Sequence, residues 1–232
     1  GRVWRGFGAL AALTAIAGCA EREPVLEGVR QDPRAAVIGT EPEPGVFVPK
    51  PVVAQPIALP AAQANADWTA RAGNSAHHIA HVALPGPLSA VWATPIGAGD
   101  GRRNRITADP VVAGGRVFTL DANVTVTATG TNGATLWQAD LTPAADRSGD
   151  ASGGGIAVGE GRVFVTTGFG DLVALDPATG AVAWRQRFDA PVGGAPAVSD
   201  GRVYVVARDA SAWAVRASDG KVEWTLPGTP ST

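Results

Sequence analysis

The side chains best suited to chemistry are few and close together. His77, His78 and His81 in "GNSAHHIAH" are the only histidines of the 232-residue chain. Spacing of three and four could place two imidazoles on one helical face for a metal ion. The stretch is bounded by Gly, Asn and Ser, which favour turns, so solvated or hydrogen-bonded histidines are expected instead. With every histidine here, no serine or cysteine has a plausible base and orienting acid for nucleophilic catalysis. The glycines of "SGGGIAVG" (152–159) suggest a phosphate cradle. A cradle of that kind needs Lys-Ser/Thr and a helix after the loop, and these glycines lead into a strand without lysine. "NVT" (123–125) fits a glycosylation sequon but lies beside a strand and is set aside. No catalytic, metal-binding or cofactor-binding residue is assigned.

Two charged loops remain. "DGRRNR" (100–105) carries Arg102, Arg103 and Arg105, and "AADRSGD" (144–150) carries Asp146, Arg147 and Asp150. Such loops are commonly just solvated. Their functional alternative is a docking surface, because rigid scaffolds present binding residues on loops and guanidinium groups make paired bonds to carboxylates. Arg102, Arg103, Arg105, Asp146 and Arg147 are the candidate partner contacts.

The elements that would position these loops repeat along the chain. "GGRVFTLDANVTVTATGTNGATLW" (114–137), "EGRVFVTTGFGDLVALDPATGAVAW" (160–184) and "DGRVYVVARDASAWAVRASDGKVEW" (200–224) align almost without gaps. Each opens on Gly-Arg-Val-aromatic and closes on Gly-x-x-x-Trp, with Gly133, Gly180 and Gly220 preceding Trp137, Trp184 and Trp224. The tryptophans fall 47 and 40 residues apart. A period of this length with four strand-like pieces per copy is the signature of propeller blades. "DPVVA", "GGIAV" and "APAVS" read as innermost strands, and "RVFTL", "RVFVTT" and "RVYVVA" as second strands rich in β-branched and aromatic residues. "VTVTAT", "LVALD" and "AWAVR" read as third strands, and "ATLWQ", "AVAWR" and "KVEWT" as outer ones. "GGR", "EGR" and "DGR" are hairpin turns needing positive φ, as are "TNG", "ATG" and "SDG". The tryptophans are expected to fill the wedge between blades. Full burial of such a ring stabilises by roughly 4–6 kcal/mol gross. Trp92 in "SAVWATPIG" is expected on a further outer strand.

Bulk numbers agree with an all-β chain. Thirty glycines and 18 prolines suit many short strands and turns. A net charge of −2 gives no basic face for nucleic acid, so none is expected as partner. Residues 20–66 hold eight prolines and no sustained apolar period. They read as a disordered tether, with a proline-rich peptide ligand as the alternative. The opening "GRVWRGFGALAALTAIAGCA" has Arg2 and Arg5, then a short apolar run, then small residues, as in a secretory signal. The chain contains no methionine, even at position 1, which implies that it starts inside a longer reading frame. Cys19, the only cysteine, leaves no internal disulfide.

Ile16-Ala17-Gly18-Cys19 resembles the lipobox of bacterial lipoproteins. The resemblance implies lipid attachment at Cys19 and, with Ala20 following, an anchor on the periplasmic face of the outer membrane. Two or three acyl chains make such an anchor effectively permanent. Ala174-x-Asp176-x-x-Thr179-Gly180-x-x-x-Trp184 resembles the tryptophan-docking motif of quinoprotein-type propellers. Residues 67–232 are similar to the BamB-like lipoproteins of outer-membrane β-barrel assembly, and "RITADPVVAGGRVFTLDA" and "GGGIAVGEGRVFVTTGFGDLVALDPATG" resemble α-proteobacterial versions. "DWTARAGNSAHH" (67–78) is similar to the segment that enters the ring there.

The resemblance implies an eight-bladed propeller, of which about three blades are present, leaving exposed edge strands. Repeat one is read with Thr129-Gly130 where Asp176-Pro177 stand, and repeat three with Arg216 at the Asp176 position. The organisation is then a lipoprotein signal at 1–19, a tether at 20–66 and a partial propeller at 67–232. The expected function is a non-enzymatic scaffold without cofactor, tethered by lipid and bound to the periplasmic domains of an outer-membrane barrel-assembly protein. A degenerate quinoprotein dehydrogenase or electron-transfer subunit is one alternative, and a periplasmic ligand-binding propeller another. The family's adjacent cysteines are not present, and no clear Glu/Asn/Asp calcium set occupies the inner strands.

Overall fold

A computed structural model describes residues 57–84 and 86–228. The signal with Cys19 and the tether as far as residue 56 lie outside the described residues. From Ala58 onward the chain forms one unit, dominated by three four-stranded antiparallel sheets. Blade 1 comprises β1 (Val111–Ala113), β2 (Arg116–Leu120), β3 (Thr125–Gly130) and β4 (Thr135–Asp140). Blade 2 comprises β5 (Gly154–Gly159), β6 (Arg162–Thr167), β7 (Asp171–Leu175) and β8 (Val182–Arg187). Blade 3 comprises β9 (Ala197–Ser199), β10 (Arg202–Val206), β11 (Ala212–Arg216) and β12 (Val222–Leu226). Every strand pairs with its neighbour in sequence, so each blade is a simple meander. The fold is all-β, a partial propeller, and its twelve strands fall on the segments picked out by the repeat.

Local chemistry accounts for the hairpins. Between first and second strands, Gly114-Gly115, Glu160-Gly161 and Asp200-Gly201 all have positive φ. That is the requirement of the tight turn whose twist matches the flanking strands. Two-residue periodicity then sorts the side chains. Ile156, Val163, Val165, Val173 and Leu175 of blade 2 pack with Phe118, Val126, Ala128 and Leu141 of blade 1. The alternate residues Ala157, Phe164, Leu172 and Ala174 pack with Val203, Val205 and Val215 of blade 3. The core therefore lies in two layers between blades, each built from opposite faces of blade 2.

Three readings are corrected. Residues 89–97, expected to hold an outer strand around Trp92, form no strand. Trp92 is held through its indole, which lies on Gly133 and donates to the Thr131 carbonyl. Repeat one is misaligned by one residue in the sequence reading. Ala128, Ala174 and Ala214 stand opposite Trp137, Trp184 and Trp224, so Gly130-Thr131 occupies the place of Asp176-Pro177. The turn in blade 1 is one residue shorter. The glycines of 153–155 serve close packing and form no cradle: a Cβ on Gly154 would strike the Thr166 carbonyl, and one on Gly155 the Ala195 backbone.

Segments before β1 are fastened to the blades. Trp68 exchanges two backbone bonds with Val112, at 2.7 and 2.8 Å, and the Val158 N–H donates to the Thr69 carbonyl at 2.8 Å. The segment 67–73 thus straps the inner strands of blades 1 and 2 together. Further upstream, Gln63 pairs with Val82.

Candidate interaction surface

Each blade presents an aromatic pair made by its second and fourth strands. Phe118–Trp137, Phe164–Trp184 and Tyr204–Trp224 have ring centroids 5.8, 5.7 and 6.1 Å apart, all tilted. Trp137 lies over Gly180 of blade 2, where a Cβ would come within 2.6 Å of the ring, and its Nε1–H donates to the Pro177 carbonyl at 3.1 Å. Trp184 repeats this on Gly220 of blade 3, at 2.7 Å, and donates to Ala217 at 3.0 Å. Trp92 does the same on Gly133 of blade 1, at 2.9 Å, donating to Thr131 at 2.8 Å. Trp224 has no such seat among the described residues and is 45% exposed. Trp92, Trp137 and Trp184 thus each fasten one element to the next.

The loops joining β2 to β3, and each blade to the next, emerge on one face of the blades. There Asn104 binds the two charged loops together. Its Nδ2 donates to the Asn123 side chain at 2.8 Å and to the Gly149 carbonyl at 3.2 Å. Arg105 is neutralised locally by Asp100 at 2.9 Å, and Asp100 also accepts the Ile106 N–H. Asp146 lies 3.9 Å from Arg187 of blade 2. Arg102, Arg103 and Arg147 are exposed, and their guanidinium groups have no partner among the described residues. Five candidate contacts thus separate into three free cations and two ion-paired residues that brace the loops.

The sequence reading missed the charge that anchors this face. Asp171, at the start of β7, has a side chain only 1% exposed and binds Arg185 at 2.7 Å. Arg185 also donates to the Leu141 carbonyl of blade 1 at 3.1 Å. A buried carboxylate needs such a partner, because an unpaired charge there costs several kcal/mol. The available signal was an aspartate opening an otherwise apolar strand, "DLVAL", with two arginines on the following one.

The histidines do not converge. Asn74 Oδ1 accepts the Ala76 and His78 N–H groups, forming a turn where a helix would be needed. His81 donates from Nδ1 to the Pro60 carbonyl at 2.7 Å. Among the described residues no three His, Cys, Asp or Glu side chains gather as metal ligands. The inner strands carry Val, Ala, Gly, Ile and Ser, a donor set that does not fit the Glu/Asn/Asp calcium site of quinoprotein dehydrogenases.

On the opposite face, the turns and the start of β12 hold carboxylates below their ordinary range by different means. For Asp176 the main cause is the Thr179 hydroxyl, backed by backbone N–H groups. For Glu223 it is the bond from Arg202, then that from Arg216. For Asp219 it is the Lys221 N–H.

Residues 121–232 match the family model described as outer membrane protein assembly factor BamB. No curated protein matches the chain. Among solved structures, a quinohemoprotein alcohol dehydrogenase from Comamonas testosteroni is similar with a TM-score of 0.60 and 25% identity, over 72% of this chain and 28% of that one. A europium-containing methanol dehydrogenase matches at 0.55 and 19%, over 72% of this chain and 33% of that one. BamB from Moraxella catarrhalis matches at 0.45 and 19%, over 54% and 38%. The chain spans well under half the length of each. Repeat, fold and the match of residues 121–232 all support a PQQ-like β-propeller for the three blades.

Proposed function

We propose that the protein is a non-enzymatic scaffold for outer-membrane protein assembly, held to the membrane by lipid on Cys19. The observation that carries this reading is the match of residues 121–232 to the assembly-factor family. The geometry supports it. Blades joined by indole–glycine contacts make a rigid base, and the loops pinned by Asn104 present Arg102, Arg103 and Arg147 outward. Free guanidinium groups on rigid loops suit paired hydrogen bonds to a partner's carboxylates. The partner is a barrel-assembly protein, met on the periplasmic side.

Similarity to the Comamonas dehydrogenase, the higher of the TM-scores given, favours a second reading as part of a quinoprotein-type dehydrogenase. Affinity purification of the full-length protein from membranes separates the two. Recovery of outer-membrane assembly components supports the scaffold, and recovery of bound quinone or dehydrogenase subunits overturns it. Labelled palmitate tests the anchor: Cys19→Ala abolishes incorporation if the lipid is there, and unchanged labelling removes that assignment.

A further inference from the structure

Of the chain's five asparagines, Asn132 alone precedes a glycine, and the fold poises that bond for reaction. Asn132 is exposed in the β3–β4 turn of blade 1. Its Oδ1 accepts the Ala134 N–H at 3.1 Å, which folds the side-chain amide over the following backbone and polarises its carbonyl. Gly133 offers no Cβ to obstruct approach to its nitrogen. One restraint opposes the reaction: the Gly133 N–H donates to the Gly130 carbonyl at 2.9 Å. The other asparagines are less suited. Asn74 is bonded through both side-chain ends to Ala76 and His78. Asn104 and Asn123 bond each other, and Arg105 and Val124 follow them. Asn65 is followed by Ala66, whose methyl hinders the attacking nitrogen.

We infer that Asn132 is a site of spontaneous deamidation, and that the reaction controls the docking of Trp92. The deprotonated Gly133 nitrogen attacks Asn132 Cγ. A C–N bond forms, ammonia leaves and a five-membered succinimide results. Water then opens the ring at either carbonyl, giving aspartate or isoaspartate, with no change of oxidation state. Blade 3 shows that aspartate fits: Asp219 precedes Gly220 in the matching turn, and its Oδ1 accepts the Lys221 N–H at 3.2 Å. Isoaspartate does not fit, because it adds a methylene to the main chain between residues 132 and 133. That extension separates Gly133, on which Trp92 lies, from Thr131, whose carbonyl accepts the Trp92 indole N–H. The segment 89–97, which forms no strand, then loses its indole seat on blade 1.

The test incubates the full chain in heavy-oxygen water at neutral and mildly alkaline pH. Peptide mapping locates the converted residue, and the Trp92 indole N–H resonance, assigned with Trp92→Phe, reports docking. The expected result is conversion at Asn132 with the other four asparagines intact, faster at higher pH. The Trp92 resonance is lost in proportion to isoaspartate and retained in Asn132→Asp. Asn132→Gln, whose ring closure is slower, keeps both its mass and its resonance. Conversion no faster at Asn132 than at Asn123 overturns the assignment of the site. An isoaspartate-bearing chain that keeps the Trp92 resonance overturns the link to docking.

Discussion

Blade 2 and blade 3 share strand order, register and the indole–glycine seat, yet differ in how they handle charge. Blade 2 is covered on both faces, and its strand β7 is buried throughout, whereas the matching β11 of blade 3 is buried only at Ala214 and Val215. Blade 2 buries the carboxylate of an ion pair, Asp171 with the partly exposed Arg185, where the matching residues of blade 3 are Ser211 and Thr225. In the turn, Asp176 of blade 2 accepts three bonds of 2.9 Å, from Ala178 and from the nitrogen and hydroxyl of Thr179. Blade 3 has Arg216 at that position and supplies the carboxylate from elsewhere. Glu223 bridges Arg202 at 2.7 Å and Arg216 at 3.2 Å, and Arg216 also meets Asp219 at 3.0 Å. The repeat keeps apolar geometry fixed and lets the electrostatics move between positions, which is what packing requires.

The comparison breaks first at the buried carboxylate. Arg185→Ala removes the 2.7 Å partner of the buried Asp171, leaving it only Arg187 at 3.9 Å, and is expected to destabilise by about 3 kcal/mol. Arg216→Ala removes only exposed, screened ion pairs and should cost far less. Urea unfolding of both variants checks the contrast, and equal losses would end it. Next come the indoles. Trp184 fills the seam against blade 3 and Trp224 is nearly half exposed. Trp184→Ala should therefore cost about 3 kcal/mol and Trp224→Ala about 1 kcal/mol or less. Thermal unfolding of the two variants measures the gap.

Most of the fold was legible because the repeat states it three times. Gly-x-x-x-Trp fixes a turn and an outer strand together, and alternating Val, Ala and aromatic residues place the faces. Trp92 was only half legible. Its docking on Gly133 follows the rule of its counterparts, but a strand needs a hydrogen-bonded neighbour, and no residue type in 89–97 reveals whether one is at hand. The misaligned turn had a similar origin, since a one-residue deletion inside a turn leaves the strand pattern intact. The interaction surface was least legible. The arginines of its loops stand out in sequence, but the bonds that bring 100–105 to 144–150 come from Asn104, a residue with no motif around it. Asp171 and Arg185 are 14 residues apart, and only strand register places them side by side.

Acid and salt sharpen the contrast between the Asp176 turn and the Glu223 cluster. Asp176 and Glu223 are both held below the ordinary carboxylate range, so each contributes stability fully present above its unfolded value, near 4. That contribution is lost as pH falls through the folded value. The causes differ: a neutral hydroxyl leads for Asp176 and a guanidinium for Glu223. Added salt screens exposed charges over roughly 10 Å or less. It should therefore raise the Glu223 value towards normal and leave Asp176 almost unmoved. Carboxyl-carbon NMR titration at low and high salt reads both groups in one sample, and parallel shifts would contradict the assigned causes.

The smallest expected effect concerns the loop between second and third strands, where each blade has one residue with positive φ. Blade 2 uses Gly170, at φ +88, but blade 3 uses Ala210, at φ 64, and blade 1 uses Val124, at φ 60. A side chain in this region carries a penalty of roughly 1–2 kcal/mol, which glycine escapes. Val124 gains it back through its side chain, fully buried between blades 1 and 2. Ala210 is exposed and has no such return. Ala210→Gly should therefore stabilise blade 3 by about 0.5–1 kcal/mol, after subtracting glycine's extra unfolded-state entropy. Val124→Gly should destabilise, because lost burial of about 2 kcal/mol or more outweighs the relieved strain. Opposite signs from two changes to glycine at matching positions separate backbone strain from packing, and a common sign in urea unfolding would mean that one of the two governs both loops.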